Sequence, residues 1–174
     1  MSRFSTDRLR SDAMRDEVDE LVEAWARERP DLDLAPVEVF SRITRLARHL
    51  DLARRDAYSA HQVEPWEFDV LAALRRAGAP YELSPSRLLR ETLVTSGTMT
   101  NRVDRLTARG FVERYPDPGD RRGVLVRLTP EGRAAVDGAF ESLLAAERTL
   151  IESLSAADRR QLAALLRPLM APFR

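Results

Sequence analysis

Apolar residues fall at three- and four-residue intervals along most of this chain, and the breaks between those runs outline the elements. From about Asp12 to Arg29, Met14, Val18, Leu21, Val22 and Trp25 form one stripe with charged residues opposite, which predicts an amphipathic helix ended by Pro30. Ala35-Pro36 opens a second helix, with proline suited to the first turn. Val39, Phe40, Ile43, Leu46, Ala47 and Leu50 carry it to about Tyr58. Pro65-Trp66-Glu67-Phe68 starts a third, running through Arg76 on Phe68, Val70, Leu71 and Leu74 until Ala77-Gly78-Ala79-Pro80 closes it.

Beyond this point the punctuation changes. Ser84-Pro85 reads as a cap plus first-turn proline for a short helix to about Arg90 or Glu91. Thr95 or Ser96 caps the next, SGTMTNRVDRLTAR, which stops at Gly110. The pair has the outline of a helix-turn-helix. Phe111–Tyr115 and Val124–Leu128 read as strands about the turn-rich PDPGDRRG, a β-hairpin wing. Thr129-Pro130-Glu131-Gly132 caps a long helix that turns Val136, Phe140, Leu143, Leu144, Leu150, Ile151 and Leu154 inward. Ser155 to Asp158 then forms a capping box for a last helix bearing Leu162, Leu165, Leu166 and Leu169 on one side. The fold class is therefore mostly α with a small β-hairpin wing. Three segments follow: 1–60, with an added helix over about 8–29 and a dimerisation helix over about 36–58; a winged helix-turn-helix over 61–130; and C-terminal dimerisation helices over 131–174. The terminal helices carry more apolar surface than one reading module needs, and helices of that kind pair.

Composition narrows the function classes. The 174 residues suit one core with helical additions, and 44% hydrophobic with 32% charged residues is a soluble globular balance. No apolar run is long enough for a membrane span, and the polar start MSRFSTDRLR lacks a secretory core, so the expected location is cytoplasmic, without membrane partners. The absence of cysteine excludes disulfides, thiolate metal sites and thiol redox sensing. Net charge is zero and every basic residue is arginine, so any polyanion contact must come from a local patch. His49 and His61 read as helix-surface or interface residues in separate segments. No serine or carboxylate motif, glycine-rich phosphate loop or metal-ligand spacing accompanies them, which argues against an enzyme, a metal or a cofactor.

The run ending the wing is the most specific feature. Asp120, Arg122, Val126, Leu128, Thr129 and Gly132 reproduce a D-x-R run before V-x-L-T-x-x-G, and with the preceding helices the chain resembles the MarR (multiple antibiotic resistance regulator) family from Pro36 to Met170, most strongly from Trp66 to Gly132. The resemblance implies a DNA-binding transcriptional regulator, with repression the family expectation. Ser96, Thr98, Thr100 and Asn101 are the short polar side chains a recognition helix needs at its amino end. Arg105, one turn on, can reach a guanine edge or a phosphate, while Val103 and Leu106 face the core. Arg121 or Arg122 would enter the minor groove, oriented by Asp120. A twofold homodimer on a palindromic operator follows, because one reader makes too few contacts for a tight site. Half-sites about 10 base pairs apart are expected.

The added first helix with its tryptophan is similar to the urate-responsive branch of that family. The resemblance implies an effector pocket of Trp25, Asp69, Arg102 and Arg114, in which guanidinium forks bind an anionic planar purine such as urate or xanthine beside an indole. Each residue also has a plainer reading: Trp25 as core or interface, Arg102 as a phosphate contact, Asp69 as a structural ion pair. Two alternatives stay open, a phenolic or other aromatic carboxylate effector and a winged-helix module that binds protein instead of DNA.

Overall fold

The computed structural model describes residues 15–92, 95–120 and 123–173. The chain forms two compact units, 1–51 and 52–174.

In the first unit, Asp16 starts helix α1 (Glu17–Glu28) with a capping box. Its carboxylate accepts from the N–H of Val18 (2.9 Å) and Asp19 (3.2 Å), while Asp19 accepts from the N–H of Asp16 (2.8 Å). The helix therefore begins at Glu17; Met14 and the expected start near Arg8 lie outside the described residues. Helix α2 (Ala35–Ser59) begins in this unit, and Arg42 reaches back to Asp16 (2.8 Å) and Asp19 (2.7 Å) while Arg45 reaches Glu17. Such exposed pairs are screened by solvent and add little to stability. Val18, almost fully buried, is the one apolar anchor of α1, and Trp25 stays 49% exposed.

The second unit continues with α3 (Pro65–Arg76), β1 (Glu82–Leu83), α4 (Pro85–Thr92), α5 (Ser96–Ala108), β2 (Val112–Pro116), β3 (Val124–Leu128), α6 (Pro130–Leu150), α7 (Ala156–Leu169) and a 3₁₀ turn (Ala171–Phe173). Its strands form one antiparallel sheet of order β1-β3-β2. Leu83 faces Val126, and the wing pairs from Val112 opposite Leu128 to Pro116 opposite Val124. Val70, Leu71, Leu74, Leu88, Met99, Val103, Leu106, Val112, Val126 and Val136 close the core between these strands and helices.

Four expectations change. A third strand, β1, joins the expected hairpin; two residues are too few to show a period of two. Phe111 is not in β2, because its N–H bonds back to the carbonyl of Leu106 (3.0 Å) and the strand starts one residue later. On α6, Val136 and Leu143 are buried as expected, but Phe140 and Leu150, with Ile151 just past the end of the helix, are exposed and not turned inward. His61 sits in the turn after α2 and not on a helix, its Nε2 2.9 Å from Ser142 Oγ.

One junction ties the reading helix to the wing and to α6. Gly110 takes the left-handed backbone (φ +73) that ends α5. Thr129 Oγ1 donates to the Gly110 carbonyl (2.7 Å) and accepts from the N–H of Gly132 (3.0 Å), capping α6, and the Thr129 N–H donates to the Phe111 carbonyl (3.1 Å). Gly132 packs so close that an added Cβ would lie 2.0 Å from the Phe111 carbonyl oxygen. Gly132→Ala should therefore lower stability by about 1–3 kcal/mol or more, seen as a lower urea midpoint. Gly97→Ala, with nothing within 4 Å of its added Cβ, should be neutral or slightly stabilising.

Candidate nucleic-acid interface

Helix α5 has two faces of opposite character. Met99, Val103 and Leu106 are essentially inaccessible and lock the helix into the core, as expected of Val103 and Leu106. Ser96, Thr98, Thr100, Asn101 and Arg105 are all exposed. Together they cover the solvent side of the helix, from Ser96 and Thr100 on one flank through Asn101 and Arg105 to Thr98 on the other. Thr95, the N-cap, makes no side-chain cap bond; its hydroxyl lies 2.9 Å from that of Thr98. The amino end of α5 therefore presents backbone N–H groups without a capping side chain, a favourable setting for a phosphate. Thr100 Oγ1 donates to the Ser96 carbonyl (3.2 Å), so in this conformation its hydroxyl offers an acceptor outward.

Arginines flank this surface, and the described ones are held. Arg105 lies 4.5 Å from the Trp66 ring centroid and 3.8 Å from the Glu64 carboxylate; Arg102 lies 5.6 Å from the same ring. Arg109, at the carboxyl end of α5, pairs with Glu67, donates to the Gln62 carbonyl (2.7 Å) and covers the Phe111 ring at 4.5 Å. Glu67 is the one buried charged residue among those described, and it also accepts from the N–H of Glu64 (2.9 Å). In the wing, Arg127 joins all three strands: it bonds Glu82 (2.7 Å) and the Tyr115 hydroxyl (2.8 Å) and covers the Tyr115 ring at 4.4 Å. The turn between β2 and β3 is closed by Asp117, whose carboxylate accepts from the Gly119 N–H (2.8 Å) and whose own N–H donates to the Gly123 carbonyl (2.9 Å). Arg121 and Arg122, expected at the wing tip, lie outside the described residues.

The expected effector residues fall into separate groups. Asp69 and Arg102 come within electrostatic reach. Burial pushes the Asp69 carboxyl above the usual carboxylate value, and the guanidiniums of Arg102, Arg54 and Arg76 pull it partly back. Arg114 instead pairs with Asp104 (2.6 Å) and approaches the Thr100 carbonyl (3.4 Å). At about 100° per residue, Asp104 and Arg102 lie on opposite flanks of α5. Trp25 belongs to the first unit. Sequence reasoning missed the gathering of Arg102 and Arg105 on Trp66, the Glu67–Arg109 pair and the Arg127 cluster, since each joins residues remote along the chain and carries no periodic signal.

Comparison with known proteins places this geometry. Residues 61–123 match the model of the MarR family. Over 150 residues the chain is 39% identical to the HTH-type transcriptional regulator PecS of Dickeya dadantii, spanning 86% of this chain and 90% of that protein. The chain belongs to the MarR family. As in its relatives, the helix-turn-helix and wing identify a DNA-binding transcriptional regulator. The structure of a MarR variant from E. coli complexed with operator DNA is 28% identical with a TM-score of 0.66, covering 80% of this chain and 99% of that one. Bordetella bronchiseptica BpsR, whose DNA binding is regulated by 6-hydroxynicotinic acid, is 29% identical with a TM-score of 0.62, over 76% and 93% of the two chains. No helix among the described residues of this MarR-family chain is long and apolar enough to cross a membrane.

The buried pair beneath the reader gives a direct test. Arg109→Met strands the Glu67 carboxylate in the core and should cost roughly 3 kcal/mol in chemical denaturation. Adding Glu67→Gln, whose amide oxygen can still accept from the Glu64 N–H, should recover most of that loss.

Proposed function

We propose that the chain is a homodimeric repressor that reads a palindromic operator and is released from it by urate or a related purine. The observation that carries the DNA half is α5 itself: a polar surface of Ser96, Thr98, Thr100, Asn101 and Arg105 on a helix whose opposite face is sealed into the core. The likeness to a MarR–operator complex supports the same reading. Arg121 or Arg122 supplies the minor-groove contact, with Asp120 orienting it.

The dimer is supported by uncovered apolar surface. Phe40 (55%), Leu165 (61%), Met170 (58%) and Phe173 (82%) are exposed in the single chain, and α7 has a leucine stripe that no described residue buries. Burying such a surface is worth about 25 cal/mol per Å² of apolar area, which favours association of the first, second and last two helices with a second copy.

For the effector, an anionic planar ring would compete with Asp69 for the Arg102 guanidinium, and Arg102 is part of the reading helix. Ligand therefore couples to DNA provided that it binds the DNA-incompetent arrangement more tightly. Of the four residues that the resemblance implies, this reading rests on Asp69 and Arg102, since Arg114 pairs with Asp104 instead. The likeness to BpsR favours a second reading, in which the effector is an aromatic carboxylate.

Mobility shift on the chain's own upstream DNA at fixed moderate salt should give a dimer-sized complex that urate dissolves. Asp69→Ala should leave the complex and blunt the response, while Arg121→Ala or Arg122→Ala should weaken the complex itself. A complex indifferent to urate but dissolved by 6-hydroxynicotinate supports the second reading. Absence of any shift, or a shift insensitive to rising salt, refutes the DNA reading. Sedimentation should show a dimer, and Leu165→Glu with Leu169→Glu should convert it to monomer.

A further inference from the structure

We infer that Trp66 is a positioning residue for DNA reading: its indole is a shared platform that holds Arg105, and with it Arg102, in place on α5 before DNA arrives. The inference rests on the reading of Arg105 as a DNA contact.

The local chemistry is specific. Trp66 is at the second position of α3, behind Pro65 and the capping box of Glu64 and Glu67. That box fixes the start of α3, and the indole N–H donates to the Glu64 carboxylate, which restrains the ring's rotation. The ring is half-buried and packs on the core from outside. Over it lie two guanidiniums from one turn of α5, Arg105 at 4.5 Å and Arg102 at 5.6 Å, and Glu64 approaches Arg105 at 3.8 Å. An aliphatic side chain would fill the same apolar space. Only an aromatic face attracts cations as well, and indole does so best.

Two like charges three residues apart on a helix repel. The platform offsets that repulsion and orders a long side chain ahead of binding, so less rotamer freedom is lost when the helix docks. Arg102 meets both the ring and the field of Asp69, which puts Trp66 beside the proposed effector pair as well as beside the reader.

The test is a double-mutant cycle on operator affinity, by fluorescence anisotropy with labelled operator DNA at fixed salt. Trp66→Leu, which keeps apolar packing, should weaken binding about three- to tenfold, with Trp66→Phe restoring most of it. In an Arg102→Ala/Arg105→Ala background, Trp66→Leu should have no further effect, because the ring acts only through those side chains. If the loss from Trp66→Leu is undiminished in that background, or if Trp66→Leu leaves affinity unchanged, Trp66 is a packing residue and the inference is overturned. If Arg105→Ala itself leaves affinity unchanged, the reading of Arg105 falls and the inference with it.

Discussion

The hydrogen-bond junction at Thr129 is the constraint from which the geometry of the reader follows. Within a few residues the chain ends the recognition helix, begins one wing strand, completes the other and starts the longest helix of the second unit. Thr129 meets the carbonyl of Gly110, the carbonyl of Phe111 and the N–H of Gly132 at 2.7, 3.1 and 3.0 Å. An added methyl at Gly132 has no room, so the backbone of α6 can approach the Phe111 carbonyl only with glycine. Residues that mark the family in sequence are thus, at Thr129 and Gly132, structural: they set the angle between helix and wing, leaving the DNA contacts to other side chains.

Arginine serves this molecule in two ways. Arg109 and Arg127 are internal ties, each meeting a carboxylate and an aromatic ring together, with Arg109 on Glu67 and Phe111 and Arg127 on Glu82 and Tyr115. A planar fork that can bond at its edge and stack on its face does both at once, which a lysine ammonium cannot. Arg105 and Arg102 use the same chemistry on Trp66, but face the side of α5 where the polar surface lies. With zero net charge, the chain relies on placing its cations and gains little from their number.

Local signals in the sequence were faithful wherever an element is made by its own residues. The bounds of α3 and β3, the Ser155–Asp158 capping box, the end of α5 at Gly110 and the inward turn of Val103 and Leu106 all follow from short-range rules of propensity, capping and period. The buried stripe of α5 was legible for the same reason, since the three- and four-residue spacing of Met99, Val103 and Leu106 marks it and leaves the polar residues outside. Periodicity shows which side of a helix is apolar and is silent on whether anything covers it, so Phe140 and Leu150 read as inward yet lie exposed in the single chain.

The sequence by itself determined the order and kind of the elements, the family, and the polar surface of the reading helix, because each is written in residues close along the chain. Tertiary structure alone decided the third strand, the burial of Glu67 beneath Arg109, the gathering of Arg102 and Arg105 on Trp66, and the pairing of Arg114 with Asp104 apart from Arg102. Those partners are ten to several tens of residues apart. Charge and aromatic character recur too often along the chain to say which of them will meet, and only the packing of the helices brings one particular pair within a few ångströms.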